Sequence, residues 1–280
     1  YLLLLGIDHP LKDLYPSLVD NPKPFHKSFP FFKDFCLTYP NEIKEILKKR
    51  IVQTNEVRRY TYLYPVFCWI YVQTKKPLAL IEIGTSAGLL LFWDQYSYSY
   101  GDKNLYGNRN SRLYLSCEIV GENKPFLCTQ SPPVSKRIGI DLHIIHVQRE
   151  DELLWLKALI WPEHQERRDI FEKAVSIVKD GKMHLVKGDG IVLLPYYEQL
   201  IEEDSTLCIF HTHVANQMST ESKERILEVV DFIGQKRDVF HIYNNLKDRY
   251  LHMDFYIDGQ KEENIIAETD GHGRWFKWLL

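Results

Sequence analysis

The sequence predicts an α/β fold with a doubly wound, mostly parallel sheet of seven strands. Short apolar runs recur from residue 78 onward. The first of them, LALIEI at residues 78–83, is the continuous kind that is typical of a strand buried on both faces of a parallel sheet. This run passes directly into a glycine-containing segment at residues 84–88 and then into a helix-like stretch. Strand, glycine loop and helix in that order open many doubly wound sheets.

Seven segments have the composition of strands in such a sheet: residues 78–83, 138–145, 183–186, 207–210, 239–243, 252–257 and 275–279. Helix-like segments lie between several of them, at residues 153–178 with a break at Pro162, and at residues 222–233. The closing strands have no long helix between them. This favours an antiparallel hairpin at one edge of the sheet.

The chain is predicted to divide at residue 76. Residues 1–76 form a helical and irregular N-terminal extension or lid, and residues 77–280 form the α/β domain. Six prolines within the first 40 residues predict coil there, because proline interrupts helices. One helix is expected from an N-cap at Asn41, and a second from near Asn55 through Tyr71 with a kink at Pro65. Residues 97–135 are predicted to be an insertion that contains a hairpin, with a strand at residues 112–120.

The composition excludes several classes of protein. The chain has 280 residues, 45% of them hydrophobic and 26% charged, with a formal net charge of -3, so we expect a folded core and no nucleic-acid partner. No apolar run approaches the ~20 residues that span a bilayer. The five cysteines include no C-x-x-C pair, so we expect no disulfide framework, no metal site and a cytoplasmic location. The chain begins with Tyr1 and not Met, so we also expect residues upstream.

The glycine-containing segment is the first candidate site. Gly84 and Gly88 let the backbone approach a ligand closely, and a helix starting at residue 89 would offer unpaired N–H groups to it. The dinucleotide fingerprint G-x-G-x-x-G is absent, and Leu89 stands where a phosphate-binding loop has lysine. Glu82 matches an E-x-G-x-S-x-G variant in which the carboxylate orients the loop backbone.

The same segment also reads G-x-S-x-G, the nucleophile elbow of α/β-hydrolases, with Ser86 as the nucleophile. Asp189 or Asp254 would supply the acid and His272 the base. A hydrolase elbow follows several earlier strands, whereas the residues before position 78 are predicted to be coil and helix. The sequence therefore favours a loop residue over a nucleophile at position 86, and the hydrolase stays the alternative.

A series of ordered motifs resembles one protein family across nearly the whole chain. They are Q-T-N-E-V-R-R at residues 53–59, P-L-A-L-I-E-I-G-T-S-A-G-L at 77–89, W-D-Q-Y at 93–96, I-G-I-D-L at 138–142, L-I-W-P-E at 159–163, K-G-D at 187–189, F-H-T at 210–212 and H-G-R-W at 272–275. Together they resemble the bacterial domain-of-unknown-function family numbered 2332. The resemblance implies a Rossmann-like fold of the class I methyltransferase type and names no reaction.

That fold type implies S-adenosylmethionine as the cofactor and assigns residues to it. The loop would line its methionine and ribose part, an acid at the second strand would accept hydrogen bonds from the ribose hydroxyls, and the end of the third strand would lie at the adenine edge. The matching positions are Glu82, Gly84, Thr85, Ser86, Gly88, Asp141, Gly188 and Asp189. Asp141 lies 59 residues after Glu82, farther than the usual ~20 residues, so Glu118 remains a competing ribose acid.

Further polar residues are candidates for the substrate side. His211 and His213 flank Thr212 at the end of the fourth strand, where His211 is the candidate base and His213 a substrate contact, unless they simply cap the strand. Asn55 and Arg59 share a helix face at i, i+4 if the predicted helix starts near residue 55, which would place them on a lid over the substrate.

We therefore expect an S-adenosylmethionine-binding, methyltransferase-like protein acting on a small molecule. The alternatives are a serine hydrolase using Ser86 and a catalytically degenerate cofactor-binding module.

Overall fold

The computed structural model describes residues 1–53 and 55–280, and this part of the chain is a mixed α/β protein. Its α-helices are α1 (Ser28–Thr38), α2 (Pro40–Lys49), α3 (Tyr60–Thr74), α4 (Glu150–Ala158), α5 (Gln165–Asp180), α6 (Gly190–Tyr197) and α7 (Thr220–Gly234). Its strands are β1 (Leu78–Ile83), β2 (Ser97–Ser99), β3 (Tyr106–Gly107), β4 (Tyr114–Ser116), β5 (Glu118–Val120), β6 (Val134–Asp141), β7 (His184–Lys187), β8 (Thr206–His211), β9 (Val239–Tyr243), β10 (Leu251–Ile257), β11 (Gln260–Thr269) and β12 (Trp275–Trp278). No helix within these ranges is long and apolar enough to cross a membrane.

The large sheet has nine strands in the order β5-β12-β11-β10-β9-β8-β1-β6-β7, so the prediction of seven strands is wrong. The extra strands are β5 and β11. β11 begins Q-K-E-E-N, and its first four residues are exposed. A strand that faces solvent needs no apolar run, and the sequence pattern therefore did not reveal it.

Five parallel strands, β7-β6-β1-β8-β9, form one half of this sheet. Starting from β1, the chain adds β6 and β7 on one side and then returns to add β8 and β9 on the other. The strand order thus reverses between β1 and β8. In open α/β sheets such a reversal opens a crevice at the carboxyl ends of the strands, where ligands bind.

The other half of the sheet is antiparallel from β9 to β12, and β10 and β11 form a hairpin. The closing strands are antiparallel as predicted, but the predicted strands at residues 252–257 and 275–279 do not pair with each other, because β11 lies between them. The edge strand β5 pairs parallel to β12. The insertion is more than a hairpin, because β2 pairs antiparallel with β3 and parallel with β4 in a separate three-stranded sheet.

The N-terminal residues contain more helix than predicted, and their helices begin elsewhere. α1 tolerates Pro30 because this residue lies in its first turn, where the missing N–H would have no intrahelical partner. α2 begins at Pro40, one residue before the predicted cap at Asn41. α3 begins at Tyr60, after a 3₁₀ helix at Val57–Arg59, so the predicted start near residue 55 is wrong.

The described residues form two compact units. One unit contains Tyr1–Asn55 and His146–Glu172, and its N-terminal part packs Leu11, Leu14 and Phe35 into a small core. The other contains Glu56–Ile145 and Lys173–Leu280 and includes both sheets. In this second unit, alternate residues of β1, β6, β8 and β9 pack against α6 and α7. The predicted domain boundary at residue 76 stays a prediction.

Candidate functional site

The loop after β1 contains three residues with left-handed backbone, Gly84 (φ 77°), Ser86 (φ 52°) and Gly88 (φ 71°). Two buried side chains support this turn, because the Thr85 Oγ1 hydroxyl donates a 2.6 Å hydrogen bond to the Glu82 Oε2 atom. Burial raises the pKa of Glu82 well above its ordinary value, and the bond from Thr85 opposes that rise. Glu82 thus contacts the loop through the side chain of Thr85.

The loop does not present bare main chain, so that part of the prediction is wrong. A Cβ at Gly84 would lie 2.6 Å from the Val214 side chain, and one at Gly88 would lie 2.4 Å from the Met183 sulfur. The glycines therefore make room for the protein's own side chains.

The main-chain N–H groups of the loop also donate hydrogen bonds within the protein. Gly84 N donates to Ile140 O at 2.8 Å, and Gly88 N donates to Thr85 O at 2.9 Å. The predicted α-helix after the loop is a seven-residue 3₁₀ helix, Leu89–Gln95, interrupted at Phe92. Its side chains are largely apolar and pack in the core. This segment therefore does not provide the α-helix N-terminus that was expected to face the ligand.

Two acidic residues lie beside the loop at the ends of the neighbouring strands. Asp141 ends β6, where its Oδ2 accepts a hydrogen bond from Ser86 N and its Oδ1 accepts one from His143 N, both at 2.8 Å. Gly188, just after β7, donates its N–H to Asp141 O at 2.9 Å. Asp189 caps α6 by accepting from Ile191 N at 2.8 Å.

The structure distinguishes the two candidate ribose acids by position. Asp141 lies on β6, next to β1 and its loop, whereas Glu118 lies on β5 at the opposite edge of the sheet. A carboxylate has about four acceptor positions, and the main-chain bonds described above use one on each Asp141 oxygen. Asp141 therefore keeps acceptor capacity for further hydrogen bonds, and its binding of a ribose stays a prediction.

A second group of polar residues lies near the carboxyl ends of β8 and β9; we call Arg59, Tyr62, His213 and Asn244 the Arg59 cluster. Arg59 Nε donates to Gly271 O at 3.0 Å. An added Cβ on Gly271 would lie 3.6 Å from His213 Cε1, so Arg59 and His213 flank the same glycine. His213 N donates to Asn244 Oδ1 at 2.8 Å.

The electrostatics of this cluster keep His213 neutral. Burial lowers its pKa to about 4, and the positive charge of Arg59 adds to that effect. Its backbone is left-handed, with φ 62°, directly after β8. Burial raises the pKa of Tyr62, and the phenol also lies near Arg59 and Asn244, both of which oppose the rise.

His211 lies on the other face of the sheet from these residues. It shares a face with Ile209, which packs in the core with α7, whereas Phe210 points to α3 and contacts Phe67. His211 is fully buried, its Nε2 lies 3.1 Å from His241 Nε2, and burial lowers its pKa to about 3. A group with so low a pKa is a weak base, and catalysis by His211 stays a prediction.

The predicted pairing of Asn55 with Arg59 on one helix face is wrong. Asn55 precedes the 3₁₀ helix and belongs to the first compact unit, where it lines a small cavity of about 30 Å³ with Gln53, Leu156 and Arg167. A substrate role for Asn55 stays a prediction.

Ser86 has the positive φ expected of a nucleophile elbow. Its N–H, however, is bound by Asp141, and no strand precedes β1 in the described ranges. The loop that builds an oxyanion hole in hydrolases follows an earlier strand, so the context of Ser86 disfavours the hydrolase alternative.

Sequence reasoning missed several buried polar residues. Tyr62 lies inside an apolar helix, and Asn244 reads as a turn residue. His241 interrupts the apolar run of β9 at a buried position, a signal that was present in the sequence. Asp254 does the same in β10 and was considered only as a hydrolase acid.

Two larger cavities lie toward the amino ends of the parallel strands, away from the predicted residues. One, of about 520 Å³, is lined by residues that include Val134, Lys136 and Lys182. The other, of about 750 Å³, is lined by residues that include Thr206 and Asp238. Neither includes a residue that the sequence assigned to a site.

The fold and its site define an α/β protein with an open, mostly parallel nine-stranded sheet and polar residues gathered where the strand order reverses. The sequence profile of DUF2332, described as an uncharacterized protein conserved in bacteria, matches residues 1–278. The chain belongs to this family. No curated protein and no solved structure matches it.

Proposed function

We propose that the chain binds a nucleoside cofactor of the S-adenosylmethionine type and transfers a group from it to a small molecule. One observation carries the proposal: Asp141 and Asp189 follow adjacent parallel strands, beside the β1 loop, where the strand order reverses. This is the position in which open α/β sheets hold a nucleotide.

The chain's own residues would bind and orient such a cofactor. Asp141 has acceptor capacity left for the ribose hydroxyls, and Asp189 would lie at the adenine edge. Glu82 and Thr85 fix the turn that bounds the site. Bound S-adenosylmethionine would supply an activated methyl group.

Methyl transfer depends mainly on positioning the acceptor, so it requires no catalytic triad.

Calorimetric titration with S-adenosylhomocysteine tests the proposal. Wild-type protein should bind one equivalent, and Asp141→Asn should weaken binding about tenfold or more, because hydrogen bonds to charged groups contribute about 1.5–3 kcal/mol. Glu118→Gln, which changes the competing acid at the far edge, is the matched control and should bind as wild type does. Because Asp141 also supports the loop, circular dichroism must show that the variant is folded. Failure of the wild type to bind would refute the proposal.

The positive φ of Ser86 keeps one alternative testable. A fluorophosphonate probe that labels the wild type and not Ser86→Ala would establish the serine hydrolase instead. Binding of S-adenosylhomocysteine without turnover of S-adenosylmethionine on a panel of small molecules would favour the cofactor-binding module.

A further inference from the structure

Arg59 is a buried cation for which the described part of the chain supplies no ion pair. Arg59 is only 9% exposed to solvent. Within the described part of the chain, its guanidinium forms no ion pair within 4 Å. Its one hydrogen bond runs from Nε to Gly271 O, which is neutral. Burying a charge is costly unless it is paired, so this position calls for an anion from outside the protein.

Buried hydrogen-bond donors lie near Arg59, and the charge of Asp270 also acts on this cluster. Asn244 Oδ1 accepts from His213 N at 2.8 Å and from Asn245 Nδ2 at 3.0 Å, which fixes the amide orientation and leaves the buried Nδ2 as a donor without a partner. His213 Nδ1 faces the Asn245 amide NH₂ at 3.4 Å and therefore accepts. In the neutral ring the proton then lies on Nε2, which is buried and likewise has no partner.

Tyr62 completes this arrangement from α3. Tyr62 is fully buried, and its hydroxyl forms no hydrogen bond of acceptable geometry with the described residues. The phenol lies near the charge of Arg59, and the Asn244 side chain is close enough to lower its pKa as a hydrogen-bonding group. Buried polar groups are nearly always paired in proteins. The donor of His213 and the donor capacity that the Tyr62 and Asn244 side chains retain therefore indicate, beside a guanidinium with no ion pair, a ligand that accepts hydrogen bonds.

We propose that the Arg59 cluster binds the anionic group, a carboxylate or a phosphate, of a small-molecule substrate. The flat guanidinium suits either group because it can donate two parallel hydrogen bonds, and the Asn244 amide and Tyr62 hydroxyl can satisfy further oxygens. That the bound anion belongs to a substrate rests on the proposed function. That the Arg59 cluster binds an anion rests only on the contacts described in this subsection. The charge of Arg59 also opposes the rise in the pKa of Glu82, which places the cluster near the β1 loop.

Calorimetric titrations of the full chain with malonate and with inorganic phosphate test this site, with sodium chloride of equal ionic strength as the blank. Wild-type protein should bind one equivalent of at least one anion, and the tighter anion identifies the group. Arg59→Gln should weaken binding about tenfold or more. Arg249→Gln is the matched control, because Arg249 is an exposed arginine paired with Glu268, and its affinity should stay within about twofold of wild type.

Asn244→Asp gives a second test that does not remove the guanidinium. It keeps the oxygen that supports His213 and replaces the orphaned donor by a negative charge, so anion affinity should fall about tenfold or more while the thermal unfolding curve remains cooperative. The His213 pKa, followed by NMR, should rise when the anion binds wild type, since a nearby negative charge favours the protonated ring. Absence of saturable binding by both anions, or equal affinities for wild type and Arg59→Gln, would overturn the inference. S-adenosylhomocysteine titrated into the same sample reports separately on the proposed function.

Discussion

Acidification should destabilise the protein through the histidine pair at the end of β8 and the middle of β9. His211 and His241 are fully buried and share one hydrogen bond between their Nε2 atoms. Burial lowers the pKa of His211 to about 3 and that of His241 well below its ordinary value, with the charges of His211, Lys247, Lys261 and His252 adding to the latter. Both rings are therefore neutral in the folded protein, whereas the unfolded chain takes up protons below about pH 6.5.

The sign and size of the effect follow from this difference. Because the unfolded state binds more protons, stability is full above pH 6.5 and falls as the pH drops toward the folded pKa. A pH of about 5 lies roughly 1.5 units below the ordinary value, and each unit contributes about 1.36 kcal/mol, so His211 alone should remove about 2 kcal/mol. His241 acts in the same direction. The free energy of unfolding of a typical domain is only about 5–15 kcal/mol, so a loss of this size is a large fraction of it.

Urea unfolding followed from about pH 7.5 to about pH 5 measures this slope. His211→Phe removes one titrating ring, and should flatten the dependence of the free energy of unfolding on pH by about 1.4 kcal/mol per unit below pH 6. The slope is the readout, because the absolute stability of the variant also changes. His26→Gln, at an exposed histidine in a 3₁₀ helix, is the control and should retain the wild-type slope. A slope unchanged in His211→Phe would refute the reasoning.

Two further substitutions test the packing of the site by urea unfolding. Gly84→Ala should cost about 1–2 kcal/mol for its left-handed backbone and about 1–3 kcal/mol more for the contact with Val214, whereas Gly259→Ala, at φ 74° in open space, should cost only the backbone part. Equal losses would show that the contact does not matter. Tyr243→Phe should cost about 1.5–3 kcal/mol, because its hydroxyl donates a buried 2.7 Å hydrogen bond to Asp254; a loss below about 0.5 kcal/mol would contradict this.

The fold could be predicted where the sequence pattern and the burial agree. β1 is apolar apart from Glu82, the middle of β8 is a continuous apolar run, and both strands are buried at every position, so both were located from sequence. β11 could not be found this way, since half of its residues face solvent and its first four, Q-K-E-E, are all polar or charged. The 3₁₀ helix after the loop has the composition of an α-helix, and only its packing against the core shows the difference.

The site was predictable to the extent that it depends on strand ends. Asp189 was placed just after β7, where the structure has it, whereas Asp141 was placed inside a strand at residues 138–145 and is in fact the last residue of β6. The exposure of the loop could not be predicted, because Val214 and Met183, which occupy the space beside Gly84 and Gly88, lie about 100 residues away in sequence. Arg59 and His213 were named as candidates from sequence, but their grouping with Tyr62 and Asn244 was not, because these residues come from distant parts of the chain and only the tertiary fold brings them together.

The parallel pairing of β5 with β12 has a consequence for folding during synthesis. β5 leaves the ribosome early, but its only partner in the sheet is 157 residues later in the chain (275 − 118). Until residues 275–278 emerge, β11 has an open edge on one side, and β5 has nothing to pair with. Unpaired edges promote association with other chains, and contacts this distant in sequence form slowly. The nascent protein should therefore depend on chaperones longest at this side of the sheet, well after the five parallel strands have assembled.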